Sequence, residues 1–197
     1  DTILSQYAES VQVLQEARHR GSCRFGVHIT FGETVLPSLL RRLAEQLPDI
    51  TVRAFVTNTR ENEEMLLRNE LDFAVIDNVK GLEALRTVPL GKEEMAVVCR
   101  PDHRSGNSIT LEELAGARLL LREKGSGTRD SIDTVFGAAG LTVSAFLDSS
   151  STYALLSCAR EGLGVTILPR SLTAEALREG TLKERTVTDG AFFRRYY

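Results

Sequence analysis

The chain has 197 residues, 42% of them hydrophobic and 26% charged, which suits a globular protein with enough chain for one large domain or two small ones. A formal net charge of −3 argues against a strongly basic nucleic-acid surface within these residues. No run approaches the roughly 18–20 apolar residues of a membrane span, and no secretory signal pattern opens the chain.

Residues 1–20 read as a helix. Leu4, Tyr7, Val11 and Leu14 step by three and four, a seam that suits a short coiled coil or an amphipathic helix packed on its own domain. Gly21-Ser22 break the pattern. Residues 23–29 are strand-like and run into Thr30-Phe31-Gly32-Glu33, a Thr-x-x-Glu capping box. Val35, Leu36, Leu39, Leu40 and Leu43 then recur at helical spacing, with Pro37 tolerated near the start of that helix. Residues 50–57 alternate as a strand, and Asn58-Thr59 cap a helix carrying Met65, Leu66 and Leu67. Residues 71–76 form a nearly continuous apolar run, as in a strand buried on both faces. This β-α-β-α-β order predicts a parallel sheet covered by helices.

Residues 85–90 and 95–99 are two further strand candidates, and the polar, turn-rich stretch 101–107 is a plausible crossing between lobes. Thr110-Leu111-Glu112-Glu113 is another capping box, opening a short helix that ends near Gly116. Residues 117–121 are strand-like, and Lys124-Gly125-Ser126-Gly127-Thr128-Arg129-Asp130 leads into a helix with Ile132, Val135 and Phe136 on one side. Residues 141–147 predict a strand, Asp148 to Thr152 a cap-rich turn, and Ala154, Leu155 and Cys158 a helix ending at Gly162-Leu163-Gly164. Residues 165–168 form a strand stopped by Pro169, residues 175–178 are helical, and residues 181–187 and 192–197 are strand-like.

Four strand-to-helix turns therefore carry Ser, Thr or Asn at the cap: Thr30, Asn58-Thr59, Ser126 to Thr128, and Ser150 to Thr152. Such turns offer backbone N–H groups and a positive helix end to an anion, and in open α/β sheets ligands bind where they gather. Gly125 and Gly127 allow close approach of a ligand, and Ser126 and Thr128 supply hydroxyls. Ordinary N-caps use the same residue types, so four unrelated caps are the competing explanation. Arg129 suits an anionic ligand or an intrahelical pair with Asp130 or Asp133. Catalysis has little support: there is no nucleophile elbow, phosphate loop or dinucleotide fingerprint, and His28 is the sole candidate base. Cys23, Cys99 and Cys158 are far apart, and with His19, His28 and His103 they make no ligand spacing. Reduced thiols in a cytoplasmic protein, with no metal and no cofactor, are the expectation.

The sequence resembles the effector-binding domain of LysR-type transcriptional regulators. The matching segments are residues 26–37 (GVHITFGETVLP), Asn58-Thr59, residues 70–75 (ELDFAV), 122–129 (REKGSGTR) and 161–170 (EGLGVTILPR). The resemblance implies an α/β, two-lobed periplasmic-binding-protein-like (type 2) fold with mixed, mainly parallel sheets. Residues 1–20 would end a linker and dimerisation helix, 21–99 the first part of lobe I, 100–169 lobe II, and 170–197 the return to a lobe I cut short. A DNA-binding winged helix-turn-helix would precede residue 1. The inducer of the family sits between the lobes on the strand-to-helix turns. Carried over, that puts Thr30, Asn58, Thr59, Gly125, Ser126, Gly127, Thr128, Arg129, Ser151 and Thr152 at the ligand, with His28, Ile29 and Phe31 as possible lining. Ser150 stands where related sequences often have Gly, and His28 where a small residue is common. The expected partners are a small anionic effector (a carboxylate or sulfate-like group) and further copies of the chain in a homodimer or homotetramer. DNA is reached only through the missing N-terminal domain, and no membrane is involved. A solute-binding protein of a transporter, or an enzyme such as a dehydratase or deaminase, is the alternative on the same fold.

Overall fold

The computed structural model describes residues 21–78, 84–103 and 106–197. The helix expected over residues 1–20 lies outside them. The chain divides into two compact units: unit 1 comprises residues up to Gly91 together with Arg195–Tyr197, and unit 2 is Lys92–Arg194.

Unit 1 opens with β1 (Ser22–His28), followed by α1 (Ile29–Thr34), α2 (Leu36–Gln46), β2 (Thr51–Thr57), α3 (Thr59–Leu67) and β3 (Phe73–Val75). The strands form a parallel sheet in the order β2-β1-β3. Alternation along β1 decides what each face packs against. Cys23, Phe25 and Val27 are buried with Leu36, Leu39, Leu43 and Leu47 of the α2 segment. On the opposite face Gly26 lies under α3, where a Cβ would come within 1.8 Å of Asn62 Oδ1. Asn62 is fully buried and donates to the carbonyls of Thr57 (3.3 Å) and Asn58 (3.1 Å), tying α3 to the end of β2.

Unit 2 holds β4 (Gly91–Cys99, whose first residue belongs to unit 1), β5 (Ser108–Ile109), α4 (Leu111–Ala115), β6 (Leu119–Arg122), α5 (Gly127–Ala138), β7 (Ala145–Ser149), α6 (Thr152–Arg160), β8 (Val165–Pro169), α7 (Arg170–Arg178), β9 (Lys183–Val187) and the start of β10 (Phe193–Tyr196). Its mixed sheet runs β5-β9-β4-β8-β6-β7, with β10 also on β4. β6 is parallel to β7 and β8, whereas β4 is antiparallel to β8 and β9. Both faces are covered. Met95, Val97, Cys99, Leu119, Leu121 and Ile167 pack with Ile132 and Phe136 of α5, and Ala96, Val98, Leu120 and Leu168 pack with Leu155 and Ala159 of α6. That explains the near-continuous apolar runs of β6 and β8.

Five expectations change. Residues 85–90 form no strand: Pro89 cannot donate to a ladder, Val88 is exposed, and Leu90 N–H bonds singly to the Tyr196 carbonyl at 2.8 Å. The strand of residues 141–147 is displaced to Ala145–Ser149, and the helix of residues 175–178 begins at Arg170. Residues 170–194 stay with unit 2, because α7 and β9 pack on β8 and β4, and the chain passes between units at Gly91/Lys92 and Arg194/Arg195 instead of near residues 99 and 169. Finally, Thr30 does not cap a helix. The cap is His28, whose Nδ1 accepts the Phe31 N–H at 3.4 Å, and Thr30 lies buried inside the first turn.

Candidate functional site

Register brings the junctions of each unit to one sheet edge. In unit 1, His28 pairs with Thr57 and Val27 with Val75, so the turns after β1, β2 and β3 adjoin. Thr30, Thr59 and His28 are buried there, and Asn58, Ile29 and Phe31 are half-buried. Asn58 caps α3 by accepting the Glu61 N–H at 2.9 Å. The His28 ring stacks on Tyr196 at 5.4 Å and meets Phe31 edge-on at 5.9 Å. Two members of this edge carry no local sequence signal. Asp77, just past β3, is buried, accepts the Thr59 hydroxyl and bridges to Tyr196.

In unit 2, Arg122 pairs with Ser149 across β6 and β7, setting the turn at Gly125 to Thr128 beside the turn at Ser151-Thr152. Gly125 has φ +94°, which an L side chain rarely adopts, and this delivers the chain into α5. The first intrahelical bond of α5 runs from Asp130 N–H to the Ser126 carbonyl at 3.0 Å. The N–H groups of Gly127, Thr128 and Arg129 precede it and point out of the helix end. Ser126, Gly127, Thr128 and Arg129 are all buried, yet Ser126 makes no side-chain cap bond. At the neighbouring turn Ser151 does cap, accepting the Ala154 N–H at 3.1 Å, and Thr152 is buried.

Arg129 is engaged as a strut. Its Nε donates to Asp133 at 2.9 and 3.1 Å, and its Nη1 to Asp148 at 2.6 Å and to the Arg122 carbonyl at 3.1 Å. Burial disfavours its charge, but Asp133 and Asp148 outweigh that and hold its pKa above the ordinary value. A cation with no motif to announce it reaches the α5 end instead. Arg194 of β10, 1% exposed, donates from Nη1 to Thr128 Oγ1 at 3.3 Å and pairs with Glu93 at 2.8 Å. Antiparallel pairing of β4 with β8 carries Glu93 to the edge where β8 ends, and Glu93 also accepts the Ser171 N–H at 3.0 Å. Among the described residues no group of three His, Cys, Asp or Glu side chains is placed to hold a metal ion, and no helix is long and apolar enough to cross a membrane.

Helix-covered sheets whose strand ends gather polar, helix-initiating turns define an α/β domain built to take a ligand at those strand ends. The profile of the LysR substrate binding domain matches residues 16–197, and the chain belongs to that family, the effector-binding domains of LysR-type regulators. It is 27% identical over 186 residues to the HTH-type transcriptional regulator YeiE of Escherichia coli strain K12, covering 94% of this chain and 63% of that protein. Its fold is shared by the effector-binding domain of QuiR in complex with shikimate, at TM-score 0.75 and 21% identity over 89% of this chain and 86% of that one. The regulatory domain of Synechocystis PCC6803 CcmR in complex with 2-PG gives TM-score 0.76 and 22% identity, over 90% and 87%.

Proposed function

We propose that this domain senses a small acidic metabolite within a LysR-type transcriptional regulator of the cytoplasm and transmits its binding to DNA-binding domains elsewhere in the protein. The observation that carries the acidic class is the start of α5: a buried first turn, no side-chain cap from Ser126, and Gly125 at positive φ. Three N–H groups and the helix dipole there favour an anion without needing a free cation. Gly125, Ser126, Gly127, Thr128, Ser151 and Thr152 are the proposed contacts in unit 2. Thr30, Asn58 and Thr59 are those in unit 1, with His28, Ile29 and Phe31 lining. Arg129 supports the turn and does not touch the ligand. Two fold neighbours hold small molecules, shikimate and 2-PG, in keeping with this use of the fold.

The domain acts as a switch and not as an enzyme: His28, the candidate base, spends Nδ1 on a backbone N–H and its ring faces on packing. Binding shifts the population between two arrangements of a homodimer or homotetramer and so re-spaces the DNA-binding domains on operator half-sites. Titration calorimetry with sulfate, phosphate and mono- and dicarboxylates tests the ligand class. One-to-one binding of an acid, with its amide silent, supports it; binding confined to neutral molecules refutes it.

A further inference from the structure

We infer that Arg185 anchors a second anion site inside unit 2, one for a small monovalent ion of the size of chloride, independent of the acid-sensing turn at α5. The antiparallel register of β4 and β9 sets Arg185 opposite Val97 and Lys183 opposite Cys99. Residues paired across neighbouring strands share a sheet face, so Arg185 lies over the same face as Val97 and Cys99. That face belongs to the core that Ile109 and Leu114 complete, and Arg185 is 6% exposed on it. β4 runs antiparallel to β8, and β8 parallel to β6. Cys99 therefore lies towards the end of the sheet opposite the one where β6 leads into α5.

A guanidinium keeps its charge in a protein, so a buried one needs acceptors for its donors and a negative partner for its charge. Arg185 has one oxygen acceptor, the Ser108 carbonyl, which takes Nη2. Nε and Nη1 are buried with no hydrogen-bond partner among the described residues. The nearest carboxylates along the chain are engaged elsewhere. Glu184, on the opposite face of β9, pairs with Arg170 at 2.6 Å, and Asp189 accepts the Leu111 N–H at 2.8 Å. Cys99 stands beside the guanidinium and brings no charge: burial raises its pKa, and Lys183 and Arg185 offset this only in part. One built-in cation is neutralised by one negative charge. A position this covered, among apolar side chains, excludes a bulky organic acid and suits an ion of one or a few atoms held by charge-assisted N–H bonds.

The test is thermal unfolding of the domain in sodium chloride, with sodium gluconate holding the ionic strength constant. Tm should rise with chloride and level off, gaining about 5 °C at a hundredfold excess over Kd. Arg185→Met, which keeps most of the volume and removes the charge, should abolish the rise. Because that variant could fail to fold, a second measurement uses the wild type alone. Crystals grown in sodium bromide should show an anomalous-scattering peak in contact with Nε or Nη1 of Arg185. A Tm indifferent to the exchange of gluconate for chloride, a chloride effect that persists in a folded Arg185→Met, or bromide absent from Arg185 overturns the inference. Bromide found only at the start of α5 also overturns it and leaves the acid-sensor reading standing.

Discussion

Replacing Arg129 with Met separates a strut from a ligand contact. Four hydrogen-bond contacts are lost: two to Asp133, one to Asp148 and one to the Arg122 carbonyl. The partner carboxylates are 44% and 55% exposed, so water takes over much of their solvation. Each lost pair then counts only about 0.2–1 kcal/mol. Depriving the Arg122 carbonyl of its donor costs about 1 kcal/mol, while the methionine keeps most of the buried volume. The sum is about 1.5–3 kcal/mol. For a chain of this length that lowers Tm by about 3–12 °C. Thermal unfolding of the ligand-free variant is the assay, followed by titration with whichever acid binds the wild type. A strut gives a lower Tm with affinity reduced only modestly. An unchanged Tm with binding abolished would refute it and make Arg129 a direct contact.

Gly26→Ala should destabilise by about 3 kcal/mol, because the added Cβ displaces the fully buried Asn62 and its two carbonyl bonds; a folded variant with wild-type Tm would contradict the packing of α3 on β1. Burial, reinforced by Asp72, pushes the Cys23 thiol up to about 11. An unfolded thiol ionises near about 8.5, so the stability this group confers is whole below that pH and is lost as pH rises through 11. Between pH 8.5 and 11 the Tm of the wild type should therefore fall more steeply than that of Cys23→Ala, and parallel slopes would count against a raised thiol pKa.

Much of the fold was legible because its signals are local. The seam of Leu36, Leu39 and Leu43, the Asn58 cap and the Thr110–Glu113 capping box, present with both reciprocal bonds, follow from spacing and short-range hydrogen bonding. The misplaced features are those where longer-range pairing outweighs local preference. Thr30 satisfies the capping-box pattern, but β1 stays paired with β2 as far as His28, and the cap falls there. Residues 85–90 have strand composition apart from Pro89, which forfeits the ladder. At the site, the turns were readable and their supporting charges were not. Asp77 bonds a residue 18 positions away, and Arg194 bonds residues 66 and 101 positions away, so nothing in their own neighbourhoods marks them. Arg129 shows the reverse case: a motif-like arginine whose Nε and Nη1 donate to two aspartates and a carbonyl.

Binding of an acidic effector at the start of α5 underlies the proposed function. Its most direct test is thermal unfolding of the wild type and Thr128→Val against the acid panel. A ligand at a hundred times its Kd adds about 2.7 kcal/mol, which raises Tm by roughly 5–10 °C in a chain of this size. Such a rise is expected with at least one acid, and it is lost in Thr128→Val. Stabilisation that survives Thr128→Val undiminished, or that only neutral molecules produce, would contradict it.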